Sequence, residues 1–68
     1  MMIPLDKNGH EIKAGCVVIP CRTVYDYVHP RALLVERVGA RLYVGAFART
    51  PLSKYRNGDT AYHSVEIQ

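Results

Sequence analysis

Residues 33–47, LLVERVGARLYVGAF, hold two apolar-rich runs separated by Val38-Gly39-Ala40-Arg41. On the second run Leu42, Val44 and Ala46 share one face, while Tyr43, Gly45 and Phe47 share the other. The first run alternates less regularly, with Leu33, Val35 and Arg37 set against Leu34, Glu36 and Val38. A period of two is that of a strand, whose successive side chains point to opposite faces. Gly39 takes the positive φ of a tight turn without steric cost. The segment therefore predicts a β-hairpin, and with it a small β protein.

Turn residues organise the rest of the chain. Asp6-Lys7-Asn8-Gly9 is a turn signal, because Asn-Gly accepts left-handed backbone angles. Gly15 precedes Cys16-Val17-Val18-Ile19, the first clear strand, and Pro20 marks a strand edge, a bulge or the strand's end because it has no N–H to donate. Residues 22–30, RTVYDYVHP, either extend that strand or form a long excursion loop closing at Pro30. Residues 49–60 carry Pro51, Asn57 and Gly58 and read as a loop with a helical turn around Ser53 to Tyr55. In the last run Ala61, His63, Val65 and Ile67 face one way, and Tyr62, Ser64 and Glu66 the other.

Strands are thus expected near 16–22, 32–38, 41–48 and 60–67, with no helix longer than about two turns. Val18, Leu33, Val35, Leu42, Val44, Val65 and Ile67 are the expected core. Sixty-eight residues leave room for a single domain, residues 1–68, that buries only about 60% of its unfolded surface. The predicted fold is all-β, a small SH3-like half-open barrel of four to five antiparallel strands, since partial closure hides sheet edges. A final strand ending at an uncovered edge near Ile67 would pair with a second copy, which gives the expectation of a homodimer.

The opening Asp6-Lys7-Asn8-Gly9-His10-Glu11-Ile12-Lys13-Ala14-Gly15-Cys16-Val17-Val18 resembles the D-x-N-G-x-E-I-x-x-G-D-x-V start of small SH3-like barrel proteins of bacteria, bacteriophages and mobile elements. It departs from that pattern at Cys16, where an aspartate is usual. The resemblance covers thirteen residues and implies a fold more than a task, since such barrels serve as nucleic-acid binders, adaptors and inhibitors alike. Val24-Tyr25-Asp26-Tyr27 has a superficial likeness to the Ala-Leu-Tyr-Asp-Tyr motif of eukaryotic SH3 domains. Its mid-chain position and the absence of tryptophan argue against a proline-peptide groove, leaving the tyrosine pair as an adhesive surface.

Several function classes find little support. No apolar run reaches the roughly 18 residues of a membrane span. The N-terminus has neither the basic start nor the apolar stretch of a secretory signal, so the expected compartment is the cytoplasm. Cys16 and Cys21 would lie roughly 16 Å apart in a strand, beyond the roughly 7 Å limit of a disulfide, and read as reduced apolar residues. His10, His29 and His63 are scattered, which disfavours a metal site, and His63 reads as a partly buried, hydrogen-bonded residue. No phosphate loop or nucleophile elbow is present, and a Cys/His dyad of Cys16 or Cys21 with His63 lacks any sequence support. The expectation is a non-enzyme without cofactor.

Charge supplies the remaining signal. Residues 22–57 carry seven basic residues, six of them arginine, against Asp26 and Glu36, whereas the flanks are neutral or acidic. Arginine suits bidentate phosphate contacts and stacking on bases, and Tyr25, Tyr27, Tyr43, Phe47 and Tyr55 interleave with these charges. The expected contact residues are Arg41, Tyr43, Arg49, Lys54, Tyr55 and Arg56. Two functions compete. One is a protein-interaction module whose apolar face or open sheet edge docks on a host or self partner. The other is a nucleic-acid-binding barrel in which Arg41, Arg49, Lys54 and Arg56 hold phosphates while Tyr43 or Tyr55 stacks on bases.

Overall fold

The computed structural model describes residues 3–45 and 49–68. Five strands form one antiparallel sheet in the order β4-β3-β2-β1-β5. In chain order they are β1 (Val17–Pro20), β2 (Leu33–Val38), β3 (Arg41–Val44), β4 (Thr50–Pro51) and β5 (Val65–Ile67), with a short helix α1 (Val24–Val28) after β1 and a 3-10 helix (Leu52–Tyr55) after β4. The chain is therefore a small all-β fold.

The hairpin forms as its sequence requires. Val38 pairs with Arg41, so Gly39 and Ala40 alone make the turn. Gly39 has φ 63° and Ala40 stays negative, the sign pattern of a type II′ turn, whose twist matches that of the strands. Val35 and Val44 face each other across the ladder and both are buried. The residues expected to end β3, 46–48, lie outside the described part of the chain.

The core comprises Ile12, Val18, Val35, Val44, Leu52 and Val65, with Cys16, Leu33, Leu42, Tyr55 and Ile67 packed around it. All seven expected core residues thus contribute, although Leu33, Leu42 and Ile67 are only half-buried. Ile12 and Leu52 are additions. They come from the irregular segment before Gly15 and from a 3-10 helix, where no strand alternation announces them.

Residues 22–30 correct the sequence reading, which extended β1 or left a loop there. Thr23 Oγ1 accepts the Asp26 N–H at 3.3 Å, and Asp26 Oδ2 accepts the Thr23 N–H at 3.0 Å, a reciprocal capping box that starts α1. His29 ends it, its N–H donating to the Tyr25 carbonyl, just before Pro30. The β1–β2 ladder stops at Val18 and Leu33, so the missing N–H of Pro20 faces a position without a partner strand.

The last run is also shorter as a strand than its alternation suggests, because it changes partner midway. Around residues 62–64 the backbone bonds Leu5, Tyr55 and Asn57; only beyond Ser64 does it pair with β1. His63 bridges Arg56, the residue that follows the 3-10 helix, which ties the far end of β4 to the approach of β5.

The open β5 edge expected to drive dimerisation is occupied. Val65 and Ile67 turn their backbone groups away from β1. There the Val65 carbonyl accepts the Lys7 N–H at 2.9 Å, and the Val65 N–H donates to the His63 carbonyl. The Ile67 N–H donates to Asp6 Oδ2 at 3.0 Å. At the opposite end β4 is two residues long, and Pro51 has no N–H to offer on its outer side.

Candidate partner-docking surface and basic cleft

The six expected contact residues do not form one surface. Arg41 and Arg56 come together on a cleft between the hairpin turn, the 3-10 helix and the segment before β5. Tyr55 lies instead on a second groove between α1 and the sheet, which shares no lining residue with the first. Tyr43 stands opposite Glu36 on the outer face of the hairpin. Arg49 reaches the same Glu36, with Nε 3.5 Å from its carboxylate. Lys54 is exposed on the 3-10 helix.

These partnerships change what each side chain can do. Tyr55 packs half-buried against the core, and the Arg22 guanidinium sits 5.8 Å above its ring, a cation–π arrangement. The same guanidinium donates to the Lys54 carbonyl at 2.8 Å. Arg22 thereby fastens the start of α1 to the 3-10 helix, and the ring expected to stack on a base is already engaged. Arg56 lies 3.8 Å from the fully exposed Asp59, a contact of little strength in water. Arg41 and Lys54 have no ion pair among the described residues.

Helix α1 is what the sequence reading undervalued. None of its five residues is buried, and Val24 (79% exposed), Tyr25 (63%), Tyr27 (64%) and Val28 (63%) all stand in water. Apolar residues on a surface helix ordinarily gather on its core side. Here the capping box and the Arg22 clamp hold the helix, and of its large side chains Tyr25 alone has a ring contact among the described residues, with His29 at 5.1 Å. Apolar residues at 24, 27 and 28, the spacing of one helix face, were the available signal.

The basic cleft has an ordered floor. His63, 5% exposed, lines it. Its Nδ1 lies 2.8 Å from the Ala61 carbonyl and 3.2 Å from the Leu5 carbonyl. Carbonyls only accept, so Nδ1 carries the hydrogen and the neutral ring keeps its lone pair on Nε2. Nε2 bonds no group among the described residues, yet no buried side-chain nitrogen or oxygen there lacks a partner. Nε2 is therefore open to the cleft that the ring lines.

Both cysteines are free and half-buried. Burial pushes the Cys21 thiol up from its ordinary range, and its Sγ–H donates to the Ile19 carbonyl at 3.4 Å, which disfavours the thiolate that nucleophilic chemistry needs. No three His, Cys, Asp or Glu side chains among the described residues converge to hold a metal ion. No described helix is long and apolar enough to cross a membrane. No protein-family model matches the chain, and neither a curated protein nor a solved structure is similar enough to count as a match.

Proposed function

We propose that this protein is a small non-enzymatic interaction module that docks on a protein partner through helix α1. The observation that carries this reading is the exposure of Val24, Tyr25, Tyr27 and Val28 on a helix that buries nothing. Apolar patches of this kind on small domains mark interaction surfaces, and tyrosine supplies a large contact area at little entropic cost.

Charge selects the partner. Arg22 and Arg31 flank the helix in sequence, and Arg22 holds Lys54 close by. The nearby carboxylate of Asp26 is engaged by the Arg22 and Thr23 N–H groups. The complementary surface is an apolar ridge bordered by Asp or Glu. A second copy of this chain would bring a cationic rim to a cationic rim, so a different protein suits the site better than a homodimer. The likeness of the opening motif to small barrels of bacteria and bacteriophages suits a module acting on a host protein.

A photo-cross-linker replacing Tyr27 in the full chain, followed by titration with the captured and purified protein, tests the proposal. Tyr25→Ser/Tyr27→Ser should weaken that binding at least about tenfold while leaving the fold intact, and added salt should weaken it further. Equal binding by the variant and the parent would overturn the reading. Nucleic-acid binding is the second reading, favoured by the convergence of Arg41 and Arg56 on one cleft.

A further inference from the structure

The cleft over His63 is independent of the docking helix, and its chemistry is specific. Arg41 and Arg56 border it, Ser53 adds a hydroxyl, and the nearly buried His63 lines it. The ring is held by two carbonyls through Nδ1, which leaves Nε2 as an acceptor without a partner among the described residues. Two guanidinium groups call for an anion. A lone pair on a ring lining the same cleft calls for a group that also brings a hydrogen to donate.

The geometry points to a phosphomonoester site, in which Arg41 and Arg56 hold the charged oxygens and His63 Nε2 accepts the hydrogen of a P–OH. A phosphomonoester carries between one and two negative charges near neutral pH, so part of its population retains that hydrogen. Sulfate and a phosphodiester have none to give. The site thus selects a terminal phosphate by its proton as well as by its charge. The Ser53 hydroxyl, which donates and accepts, suits a remaining oxygen, whereas the Thr60 hydroxyl already donates to the Asn57 carbonyl at 2.7 Å. Neither Arg41 nor the Ser53 hydroxyl is tied to another described group, so both are free to turn to a ligand. Asp59, the carboxylate beside Arg56, is fully exposed and screened by water.

Such a group occurs on small metabolite-like phosphomonoesters and on the phosphorylated end of a nucleic-acid strand. Titration of the full chain near pH 7 with phenyl phosphate and with sulfate at matched ionic strength, followed by nuclear magnetic resonance of the His63 ring nitrogens and the arginine side chains, tests the proposal. Phenyl phosphate should shift the His63 Nε2 and Arg56 signals, and sulfate should bind at least about tenfold more weakly. Arg41→Gln, a change at the exposed first residue of β3, should weaken phenyl phosphate about tenfold without altering the melting temperature. A 5′-phosphorylated oligonucleotide that binds better than its unphosphorylated counterpart assigns the strand end as the source. Indifference to that phosphate assigns the small phosphomonoester. Equal affinity for sulfate and phenyl phosphate, or no shift at His63 with phenyl phosphate at tens of millimolar (on the order of the weakest specific binding), would overturn the site. Tyr25→Ser/Tyr27→Ser should leave this titration unchanged, which separates its outcome from that of the docking helix.

Discussion

Asp6 accepts the backbone N–H of Ile67 through Oδ2 at 3.0 Å, across 61 positions of sequence. Its other oxygen accepts the N–H groups of Asn8 and His10 at 2.9 and 2.8 Å, and the residue is 0% exposed. One carboxylate thus folds the Asp6-Lys7-Asn8-Gly9 turn and covers the outer side of β5. Gly9, with φ 85°, supplies the left-handed residue that this turn requires. The conspicuous opening motif is therefore a folding device. Its Asp6 seals the sheet, its Ile12 and Val18 enter the core, and its glycine turns lead from one to the other.

Removing this carboxylate should be severe. Asp6→Ala leaves three N–H groups without their acceptor, and each hydrogen bond to a charged group contributes about 1.5–3 kcal/mol. Asp6→Asn keeps the shape but sets an amide donor against one of these donors. Both variants should unfold at much lower urea concentration than the parent, and Asp6→Ala is expected to be largely unfolded in buffer, given the few kcal/mol available to so small a domain. An unchanged urea midpoint for Asp6→Asn would show that the bond to Ile67 contributes nothing.

Acid should act through the same group. Burial raises the affinity of Asp6 for a proton, but the Ile67, His10 and Asn8 N–H groups and the nearby His10 outweigh it and hold the carboxyl below its ordinary value of 3.8. A carboxyl whose folded value is depressed contributes stability that is present above the unfolded value and is lost as pH falls through the folded one. Stability measured by urea unfolding should accordingly fall as pH drops below about 4. In Asp6→Asn that acid limb should be shallower. An identical acid limb in parent and variant would assign it to other carboxylates.

The core offers a direct check on the register. Val35 and Val44 face each other across the hairpin, both buried, so Val44→Ala should remove about 1–3 kcal/mol through lost burial and the cavity left behind. Leu52→Ala should cost about 2–5 kcal/mol, although it lies on a 3-10 helix. Val38→Ala, on the outward face of the same hairpin, should change the melting temperature little. If Val44→Ala and Val38→Ala melt alike, the inward face has been misassigned.

What the sequence announced and what it hid follow from the range of the interactions. Val35, Val44 and Gly39 were legible because a strand period and a two-residue turn are local. Helix α1 was missed because its single turn and a half is too short for a helical period to stand out, and the Thr23-x-x-Asp26 capping box was the only terminal signal. The part played by Asp6 was hidden for a different reason. Its decisive partner lies at the other end of the chain, and pattern reading reaches only a few residues. For the same reason Arg41 and Arg56 could be named, but their meeting over His63 could not. Tyr55 resembled a free stacking ring until Arg22, 33 positions earlier, was found above it.

Salt dependence separates the two functional readings. If the basic residues hold phosphates of a nucleic-acid backbone, affinity should fall steeply with salt, because each neutralised phosphate releases condensed counterions. Arg56→Ala should then weaken all sequences alike and lower the salt slope by roughly one unit. Arg49→Ala should do less, since Arg49 already lies 3.5 Å from Glu36. Tyr55→Ala is a poor probe of stacking, because the ring packs on the core beneath Arg22 and its loss should lower the melting temperature first. If helix α1 serves a protein partner instead, a fluorescence-anisotropy titration with mixed DNA and RNA should show no backbone binding at about 50 mM salt, where attraction is exaggerated. Binding there that is lost on Arg56→Ala and untouched by Tyr25→Ser/Tyr27→Ser would move the function from the helix to the cleft.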